Sequence, residues 1–428
     1  MTATTSHGQD ERTTPEPADN GILAGLGLPD DLRERGGEPF APPRGLLDLG
    51  HDGPVHRVVR QDGNPVWLVT GHAEARAVLS DPRMSSDRRK ALNTQDLPEE
   101  VRARFDDPEA RAGNFLGMDA PEHTRYRKLL TGQFTVRRMR SLEPRVTEIV
   151  TKQLDEIIAQ GPPVDLVPTF ALPVPSLVIS ELLGVDYADR AEFQQRTARM
   201  LRTDTPVKTL LDEGDKLTEF MLDLVRRKRA EPTDDLLSGL VHGSPEDPLT
   251  DRELANIANL LLIAGHETTA NMLGLGTFAL LENPDQLAAL RDHPESVGTA
   301  VEELLRFLSI IHFGIPRTAT ADLELGGQRI AAGDNVMVSV QAANFDGAHY
   351  DNPEKLDLSR ARGPHLSFGH GIHQCLGQQL ARVEMTIGFT ELLRRLPGLR
   401  LATAPSEVPV RTDMLIYGVH GLQVSWDA

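Results

Sequence analysis

The chain has 428 residues, of which 39% are hydrophobic and one is cysteine, and its formal net charge is −18. This length and apolar content suffice for a large buried core, whereas a single cysteine excludes an internal disulfide framework. The acidic balance disfavours a nucleic-acid binder, which needs clustered Lys and Arg, and no apolar run is long enough to cross a membrane. Composition therefore favours a globular cytoplasmic protein that binds neither nucleic acid nor membrane.

The N-terminal segment differs from the rest of the chain. Residues 1–20 are polar, rich in Thr, Pro and charge, and lack periodicity, which predicts a disordered tail followed by a single domain over 21–428. The tail has no cationic end followed by an apolar block, so we expect neither a signal peptide nor an anchor. Residues 54–59 and 65–71 then predict two strands around the turn at 61–64.

A basic segment interrupts the largely helical region that extends to about residue 310. Residues 125–130 and 136–140 are rich in Arg and Lys, whereas their neighbours are acidic. Such a segment is either a solvated helix face or a docking patch for an acidic partner. The sequence leaves these two interpretations open.

One predicted helix, over residues 250–282, is apolar on almost every face. Thr250 and Glu253 have the spacing of a capping box, and Pro284 follows the end. A helix of about nine turns with this pattern should run through the centre of the fold. Its middle, residues 264–269, is small and polar, which costs stability in a buried helix unless these residues have partners.

The pattern changes after this helix. Residues 297–310 predict another helix. Residues 321–340 alternate like a hairpin around Gly326 and Gly327, with a second turn at 332–334.

The last quarter of the chain contains a long segment without periodicity, residues 341–365. Loops of this length within a compact domain are usually functional. Residues 376–396 then predict an amphipathic helix, and residues 414–426 predict a final hairpin.

The only cysteine, Cys375, stands in the stretch FGHGIHQCLG, residues 368–377. A lone cysteine is usually an inert buried side chain. Here three glycines allow a flat ligand to approach closely, and the N–H groups that open the following helix stabilise a thiolate. The residues alone leave a metal ligand and a nucleophile open, the latter with His370 or His373 as base. A zinc site is disfavoured because no further cysteine is available.

This stretch resembles the haem-binding signature of the cytochromes P450, Phe-x-x-Gly-x-His-x-Cys-x-Gly. The resemblance implies that the Cys375 thiolate is the axial ligand of haem iron and that Phe368 shields the sulfur. It also implies the P450 fold, which is mainly α with smaller β-sheets (α+β). Haem b, iron protoporphyrin IX, would lie between the long central helix and the helix after the cysteine loop. The resemblance begins near residue 40 and is strongest to soluble actinobacterial members that hydroxylate natural products or xenobiotics.

The middle of the long helix matches the family's oxygen-binding pattern, Ala-Gly-x-Glu-Thr, at Ala264, Gly265, Glu267 and Thr268. The two small residues open a groove for a diatomic ligand, and Glu267 with Thr268 can relay protons to it. A buried helix kinked by Gly and Thr would show the same pattern. Its pairing with the cysteine loop favours the catalytic interpretation.

Two further sets match the family. Glu303 and Arg306 fall one helical turn apart, where they can form a structural ion pair completed by Arg360. Burying the two haem propionates requires cations. By resemblance, four side chains bind them: His123, Arg127, Arg317 and His373. The chain departs from the family at Phe345, where arginine is common, and at Leu356, where phenylalanine is frequent.

The resemblance implies a haem-thiolate monooxygenase that inserts one atom of O2 into a lipophilic small molecule. Hydroxylation or epoxidation of a macrolide- or polyketide-like natural product, as in antibiotic biosynthesis, or of a xenobiotic is expected. No flavin or nicotinamide motif is present, so electrons from NAD(P)H must arrive through a ferredoxin reductase and a ferredoxin, which the basic segment would bind. Four apolar residues are expected to line the substrate pocket, although core packing would explain them equally well: Phe115, Ile311, Phe313 and Leu415.

Two other classes remain open. A non-catalytic haem-thiolate protein that binds or senses a gas would have little use for Glu267 and Thr268. A haem-free cysteine hydrolase would need a histidine base and no propionate partners. The absorption spectrum of the reduced, CO-treated protein distinguishes both from the monooxygenase interpretation.

Overall fold

The computed structural model describes residues 27–91, 98–243 and 246–427, so the tail predicted over 1–20 lies outside the described residues. Helices dominate and strands are short, which confirms a mainly α architecture with smaller β-sheets. No described helix is long and apolar enough to cross a membrane.

The α-helices follow the predicted helical region and continue beyond it. In chain order they are α1 Arg44–Asp52, α2 His72–Ser80, α3 Arg88–Ala91, α4 Glu99–Asp106, α5 Pro108–Arg111, α6 Glu122–Thr131, α7 Val136–Ser141, α8 Glu143–Gln160, α9 Pro173–Leu183, α10 Arg190–Met200, α11 Val207–Ala230, α12 Leu236–His242, α13 Asp251–Glu282, α14 Pro284–Asp292, α15 Val297–Leu308, α16 Val340–Asn344 and α17 Gln378–Arg395.

The strands of the described chain form three small sheets. In chain order they are β1 Val55–Val59, β2 Pro65–Val69, β3 Met84–Ser85, β4 Val164–Asp165, β5 Ile315–Ala319, β6 Leu323–Leu325, β7 Gln328–Ile330, β8 Asn335–Val338, β9 Arg400–Leu401 and β10 Gln423–Ser425. The sheets have the orders β1-β2-β8-β5-β3, β4-β10-β9 and β6-β7.

The long helix α13 begins with the predicted capping box. The Thr250 hydroxyl accepts from the Glu253 N–H (3.2 Å), and the Glu253 carboxylate accepts from the Thr250 N–H (2.7 Å). Within Asp251–Leu281, all of which the structure describes, Ala264 is the only exposed residue. The helix therefore runs through the core, as predicted, and before its last residue, Glu282, it is exposed only at its middle.

Helix α17 packs directly on α13 through two glycines. Gly276 of α13 faces the Phe389 ring, and Gly388 of α17 faces Leu273, in each case so closely that an added methyl group would collide. The prediction that α17 is amphipathic is wrong, because among its residues only Arg394 is exposed. Packing against α8, α13 and α15 covers its polar side as well.

The first two predicted hairpins form, but the strand after the second one pairs elsewhere. β1 and β2 pair antiparallel, and β6 and β7 form a hairpin around the predicted Gly326-Gly327 turn. The turn at 332–334 is present, but β8 then leaves that hairpin and pairs with β2 and β5.

The predicted hairpin over 414–426 does not form. Its last strand, β10, pairs with β4 and β9. Three residues before β10 form single bridges to distant segments, Met414 to Arg202, Ile416 to Ile311 and Val419 to Val410. The segment therefore contacts several other parts of the fold.

The segment predicted to be irregular, 341–365, begins as the last residues of α16 and is then irregular. It is held by a buried charge cluster, as predicted. Nε and Nη2 of Arg306 bond to the Glu303 carboxylate at 2.8 Å each, and Arg360 Nε bonds to the same carboxylate at 3.1 Å. Arg306 also donates to the carbonyls of Asn344 and Pro353 (both 2.9 Å), so the ion pair anchors the loop.

Candidate active site

Cys375 lies in a tight loop between a short 3-10 turn, Gly371–His373, and the start of α17. Its N–H donates to the Phe368 carbonyl (2.8 Å), which closes the loop. Gly371 has φ +73°, and a side chain there would collide with the backbone carbonyl of Leu79 at the end of α2. The loop conformation therefore depends on glycine.

The Cys375 thiol is exposed on one side, although protein surrounds it on the others. Burial raises its pKa, and the N–H groups of Gly377 and Gln378 with the charge of Arg127 offset only part of this effect. The ring of His373, a candidate base, packs instead against the His123 ring at 4.2 Å between centroids. These features suit a thiol that becomes a thiolate by binding a metal better than one activated by a base.

The four residues expected to bind propionates lie around this loop. Arg127 donates to the carbonyl of Gln374 (2.6 Å), next to the cysteine, and His123 contacts His373. Burial, then the charges of His123 and Arg317, lowers the pKa of His373 to about 3. Burial also lowers the pKa of Arg317 to about 10.

These groups form an electropositive cluster with an unused donor. Within the described residues, His123 Nε2 is buried and has no hydrogen-bond partner. Buried cations are stable only with anionic partners. The cluster therefore fits a ligand with carboxylates such as the haem propionates.

Ala264 and Gly265, the small residues of the oxygen motif, have different surroundings. Ala264 is exposed although it lies in the middle of the buried helix α13. The Thr268 hydroxyl donates to the Ala264 carbonyl (2.8 Å). Gly265 packs against Ile179 of α9, where a methyl group would approach the Ile179 Cδ1 to 2.9 Å.

Glu267 does not share this groove-facing environment. Its side chain is 4% exposed and pairs with Arg411 at 3.2 Å. Asn271 Nδ2 donates to the Glu267 carbonyl (2.7 Å), and Asn271 Oδ1 accepts from Arg411 Nη1 (3.0 Å). Sequence reasoning missed Arg411, which lies 144 positions from Glu267 and belongs to no motif.

The structure brings together two of the four predicted substrate residues. Ile311 bridges Ile416, and the Leu415 carbonyl accepts from the His312 N–H (3.4 Å). Leu415 also bonds to Leu201, just after α10, through its N–H (2.9 Å).

The other two substrate candidates occupy different surroundings. Phe313 stacks on the His312 ring at 4.8 Å. Phe115 is buried, and its ring lies 6.3 Å from that of His123. Phe115 is thus placed beside the electropositive cluster, away from the paired segments at Ile311 and Leu415.

The basic segment is partly neutralised within the chain. Arg125 forms ion pairs with Asp247 (2.7 Å) and with Glu253. Arg125 is therefore unsuitable as a docking residue. Exposed Arg140 of α7 instead lines a surface cavity of about 330 Å³ together with Arg362 and Arg382.

A second network missed by sequence reasoning lies behind the cysteine loop. Arg382 sits over the Phe368 ring at 4.5 Å and bonds to Glu302 (2.6 Å), which also pairs with His365 (3.1 Å). Burial alone would raise the pKa of Glu302, but the hydrogen bonds from His365 and Arg382 outweigh it and lower that pKa to about 2. The only sign of this network in the sequence was that another acidic residue, Glu302, directly precedes Glu303.

Glu384 of α17 was also missed. It is buried, its Oε2 has no hydrogen-bond partner among the described residues, and burial raises its pKa well above the usual value. Burial therefore favours the neutral form of the Glu384 carboxyl. Its only sequence signal was a charge on the otherwise apolar side of the helix.

Known proteins resemble this chain along most of its length. The family model described as Cytochrome P450 matches residues 200–397. Cytochrome P450 105C1 from a Streptomyces species is 47% identical over 90% of this chain and 96% of its own. Pentalenic acid synthase from Streptomyces avermitilis is 46% identical over 91% of this chain and 95% of its own.

Solved structures agree with these relatives. The crystal structure of CYP105P1 in complex with filipin I has a TM-score of 0.86 and 49% identity, and the match covers 91% of this chain and 96% of the other. Cytochrome P450 MoxA from Nonomuraea recticatena has a TM-score of 0.84 at 43% identity, over 95% and 99% of the two chains. With the cysteine loop, the electropositive cluster and the interrupted central helix in place, this chain belongs to the cytochrome P450 family of monooxygenases.

Proposed function

We propose that residues 21–428 form one haem b domain that inserts an atom of O2 into a bulky lipophilic natural product or xenobiotic. The observation that carries this proposal is the position of the Cys375 thiol beside the charge of Arg127 and beside the His123–His373 ring pair, in which the buried His123 Nε2 has no hydrogen-bond partner within the described residues. A non-catalytic gas sensor or a cysteine hydrolase would leave part of this arrangement without a role.

In this proposal four side chains, His123, Arg127, Arg317 and His373, would hold the propionates, and Cys375 would supply the sulfur ligand of the iron. Phe368 covers the sulfur, and Arg382 over its ring keeps it in place (4.5 Å). When bound, haem supplies the activation of O2 and the oxidation of the substrate. The chain supplies the ligand, the cations and a fixed loop.

On the other side, the exposed Ala264 leaves room for a diatomic molecule. The Thr268 hydroxyl, which donates to the Ala264 carbonyl in this structure (2.8 Å), can rotate and donate to a ligand in the groove. The Glu267 carboxylate accepts a proton from the solvent side and then donates it toward the side where Thr268 lies. Removing the Thr268 hydroxyl or the Glu267 carboxylate should lower the yield of product for each pair of electrons consumed.

The substrate class is inferred from the lining and from the relatives. Ile311, Phe313 and Leu415 are apolar and partly exposed, which suits a lipophilic molecule. The named relatives include a vitamin D3 dihydroxylase (43% identical) and a structure with filipin I, so this fold accommodates large substrates.

Electrons are proposed to come from NAD(P)H through a ferredoxin reductase and an acidic ferredoxin. The face that carries the cysteine loop offers exposed Lys128, Arg137, Arg140 and Arg362. Exposed Ile372 of the loop (57%) would add an apolar contact. Opposite charges of this kind accelerate association with an acidic protein.

The test is the absorption spectrum of the reduced, CO-treated holoprotein, followed by turnover with a ferredoxin system. The red-shifted thiolate band and product formation are expected for wild-type protein, and Cys375→Ser should lose both while retaining haem. An unshifted band in wild-type protein would contradict thiolate ligation. A thiolate band without turnover of any lipophilic test compound would favour the sensor.

A further inference from the structure

The Glu267 carboxylate lies inside the protein and away from the Ala264 groove. Its neighbours are His266 on the same helix (Nε2 to Oε1, 3.8 Å), Asn271 one turn later, and Arg411 from the C-terminal loop. His266 is occupied elsewhere, since its ring bonds to the Leu262 carbonyl (2.6 Å) and to the Thr197 hydroxyl (3.0 Å). Arg411 is therefore the cation that pairs with Glu267.

Arg411 is held rigidly by its own loop. Its N–H donates to the Gly418 carbonyl (2.9 Å), and Val410 bridges Val419. Gly418 in turn presses on the Asn271 amide so closely that any side chain at position 418 would collide with it. These contacts fix the position of the loop on helix α13.

The Arg411 guanidinium has one donor that its contacts in the described part of the chain leave unpaired. Nη1 bonds to Glu267 (3.2 Å) and to Asn271 (3.0 Å), whereas Nε is buried without a hydrogen-bond partner in the described part of the chain. The side chain is 11% exposed, against 4% for Glu267, so Arg411 is the more accessible member of the pair. An unused buried donor at that position suits a water molecule on a path to Glu267.

We propose that Arg411 is a positioning residue that holds the Glu267 carboxylate at the inner end of a proton path from solvent, while Asn271 fixes the pair. This inference rests on the proposed monooxygenase function. A buried carboxylate without its cation becomes protonated and loses its orientation, because an unpaired charge is costly in the protein interior. Arg411 keeps Glu267 ready to accept a proton and pass it to the side where Thr268 lies.

The first test reads the carboxylate itself, without turnover. Infrared difference spectra of Arg411→Gln against wild-type holoprotein should show a new carboxylic-acid carbonyl band, and Glu267→Gln should remove it in the double variant. Glu384 is unchanged in every variant, so any band from its carboxyl cancels in the difference. Arg411→Lys, which retains the charge, should show little of the new band.

The second test measures catalysis with a ferredoxin system. In Arg411→Gln we expect kcat to fall about tenfold or more and electrons to be lost to hydrogen peroxide, with KM within about twofold. Arg411→Lys should recover part of kcat. In the Glu267→Gln background, Arg411→Gln should have little further effect, because the two residues act together. Arg400→Gln, a surface arginine paired with Asp427 (2.9 Å), is the matched control and should behave as wild type.

The outcomes separate this inference from the proposed function. If wild-type protein shows the thiolate band and turnover but Arg411→Gln gives no new infrared band and normal coupling, Arg411 has no positioning role. If wild-type protein lacks the thiolate band, the proposed function itself fails. Should Arg411→Gln not fold with haem, Asn271→Ala removes the other contact to Arg411 Nη1, and the same losses are expected.

Discussion

At the scale of single residues, the Glu303–Arg306 pair shows how this protein holds buried charges in a defined geometry. The Glu303–Arg306 pair is 2% exposed on both sides and also satisfies loop carbonyls. Phe345, at a position where the family often has arginine, stacks on Phe307 (5.6 Å) and lies 5.3 Å below the Arg306 guanidinium. Here an aromatic ring supports the buried arginine.

Arg306→Ala should therefore be severely destabilising. It leaves the Glu303 carboxylate buried with Arg360 alone and removes the donors to the loop, a change that costs about 3–5 kcal/mol. The measurement is the thermal unfolding midpoint together with haem content after expression. Arg394→Ala is the control, because Arg394 pairs with Glu391 on the surface (63% exposed) and should change stability by less than about 1 kcal/mol. Equal losses for both variants would contradict the structural role.

Glu302 should make the protein sensitive to acid. Hydrogen bonds from His365 and Arg382 overcome burial and lower its pKa from 4.5 to about 2. A depressed carboxyl pKa stabilises the fold above pH 4.5, and this contribution, about 3 kcal/mol at most, is lost as the pH falls from 4.5 to 2.

In unfolding experiments, Glu302→Gln should lower stability at pH 7 and should flatten the dependence on pH between about 4.5 and 2. Asp155→Asn removes an exposed carboxylate that pairs with Arg395 (2.6 Å) and is the control. An unchanged pH dependence in Glu302→Gln would show that the pair with Arg382 contributes nothing to stability.

At this scale, the sequence predicted the residues that belong to a local motif. Cys375, Thr268 and the Glu303–Arg306 pair stand within short patterns, and the structure places them as coherent clusters. Arg411 and Arg382 were missed because their partners are distant in the chain, at separations of 144 and 80 residues. Side chains of that kind are identified only by the packing of whole elements.

At the scale of elements, the connection between α10 and α11 is tied to the C-terminal loop. The Asp413 carbonyl accepts from the Thr203 N–H (2.9 Å), and the Asp413 carboxylate pairs with Arg202 (2.9 Å) and His420 (2.7 Å). The neighbouring Leu201 and Leu415 are also bonded (2.9 Å), so this tie lies beside the substrate candidates.

Asp413→Ala should loosen this tie while leaving the backbone bonds. Exposed ion pairs contribute up to about 1 kcal/mol, so we expect substrate association and dissociation to accelerate by up to about fivefold. Stopped-flow recording of the haem spectral shift with a bound substrate measures both rates. Asp204→Ala is a matched control, because Asp204 pairs with the same Arg202 (2.7 Å) within the connection itself. Equal acceleration by both variants would show that Asp413 does not tie the two segments.

The cysteine loop depends on its contact with α2. Gly371→Ala would force a methyl group into the Leu79 carbonyl at a φ of +73°, a conformation that favours glycine. We expect this variant to lose most of its haem, whereas Gly347→Ala, in open space in the neighbouring irregular segment, should retain it. The measurement is the ratio of haem absorbance to protein absorbance. Full haem retention in Gly371→Ala would contradict the structural role of this contact.

Element predictions succeeded where the evidence was local. The capping box at Thr250 and the glycine turn at 326–327 define their elements without help from the rest of the chain. The hairpin over 414–426 failed because alternation predicts a strand but not its partner. The partner of β10 is β4, which lies more than 250 residues earlier.

At the scale of the whole molecule, net charge and local charge have opposite effects on an electron donor. The chain carries −18, which repels an acidic ferredoxin at long range. In the proposed function, docking of such a ferredoxin therefore depends on the cations around the cysteine face. Arg125 cannot serve, being paired with Asp247 and Glu253, whereas Arg140 and Arg362 are exposed at a cavity of about 330 Å³ next to Arg382.

Charge reversal of both, Arg140→Glu with Arg362→Glu, should slow reduction by an acidic ferredoxin about tenfold or more at low ionic strength. The difference from wild type should shrink near 0.15 M salt, where charges about 8 Å apart are screened. A matched control exists in another surface groove, where exposed Arg291 and Arg400 line a cavity of about 380 Å³, and reversing them makes the same change in net charge. If the two double variants slow reduction equally, net charge and not the Arg140 cavity governs the encounter. If only the first does, the donor docks beside the Arg382 network that holds Phe368 over the cysteine, which gives electrons a short route to the ligand sulfur.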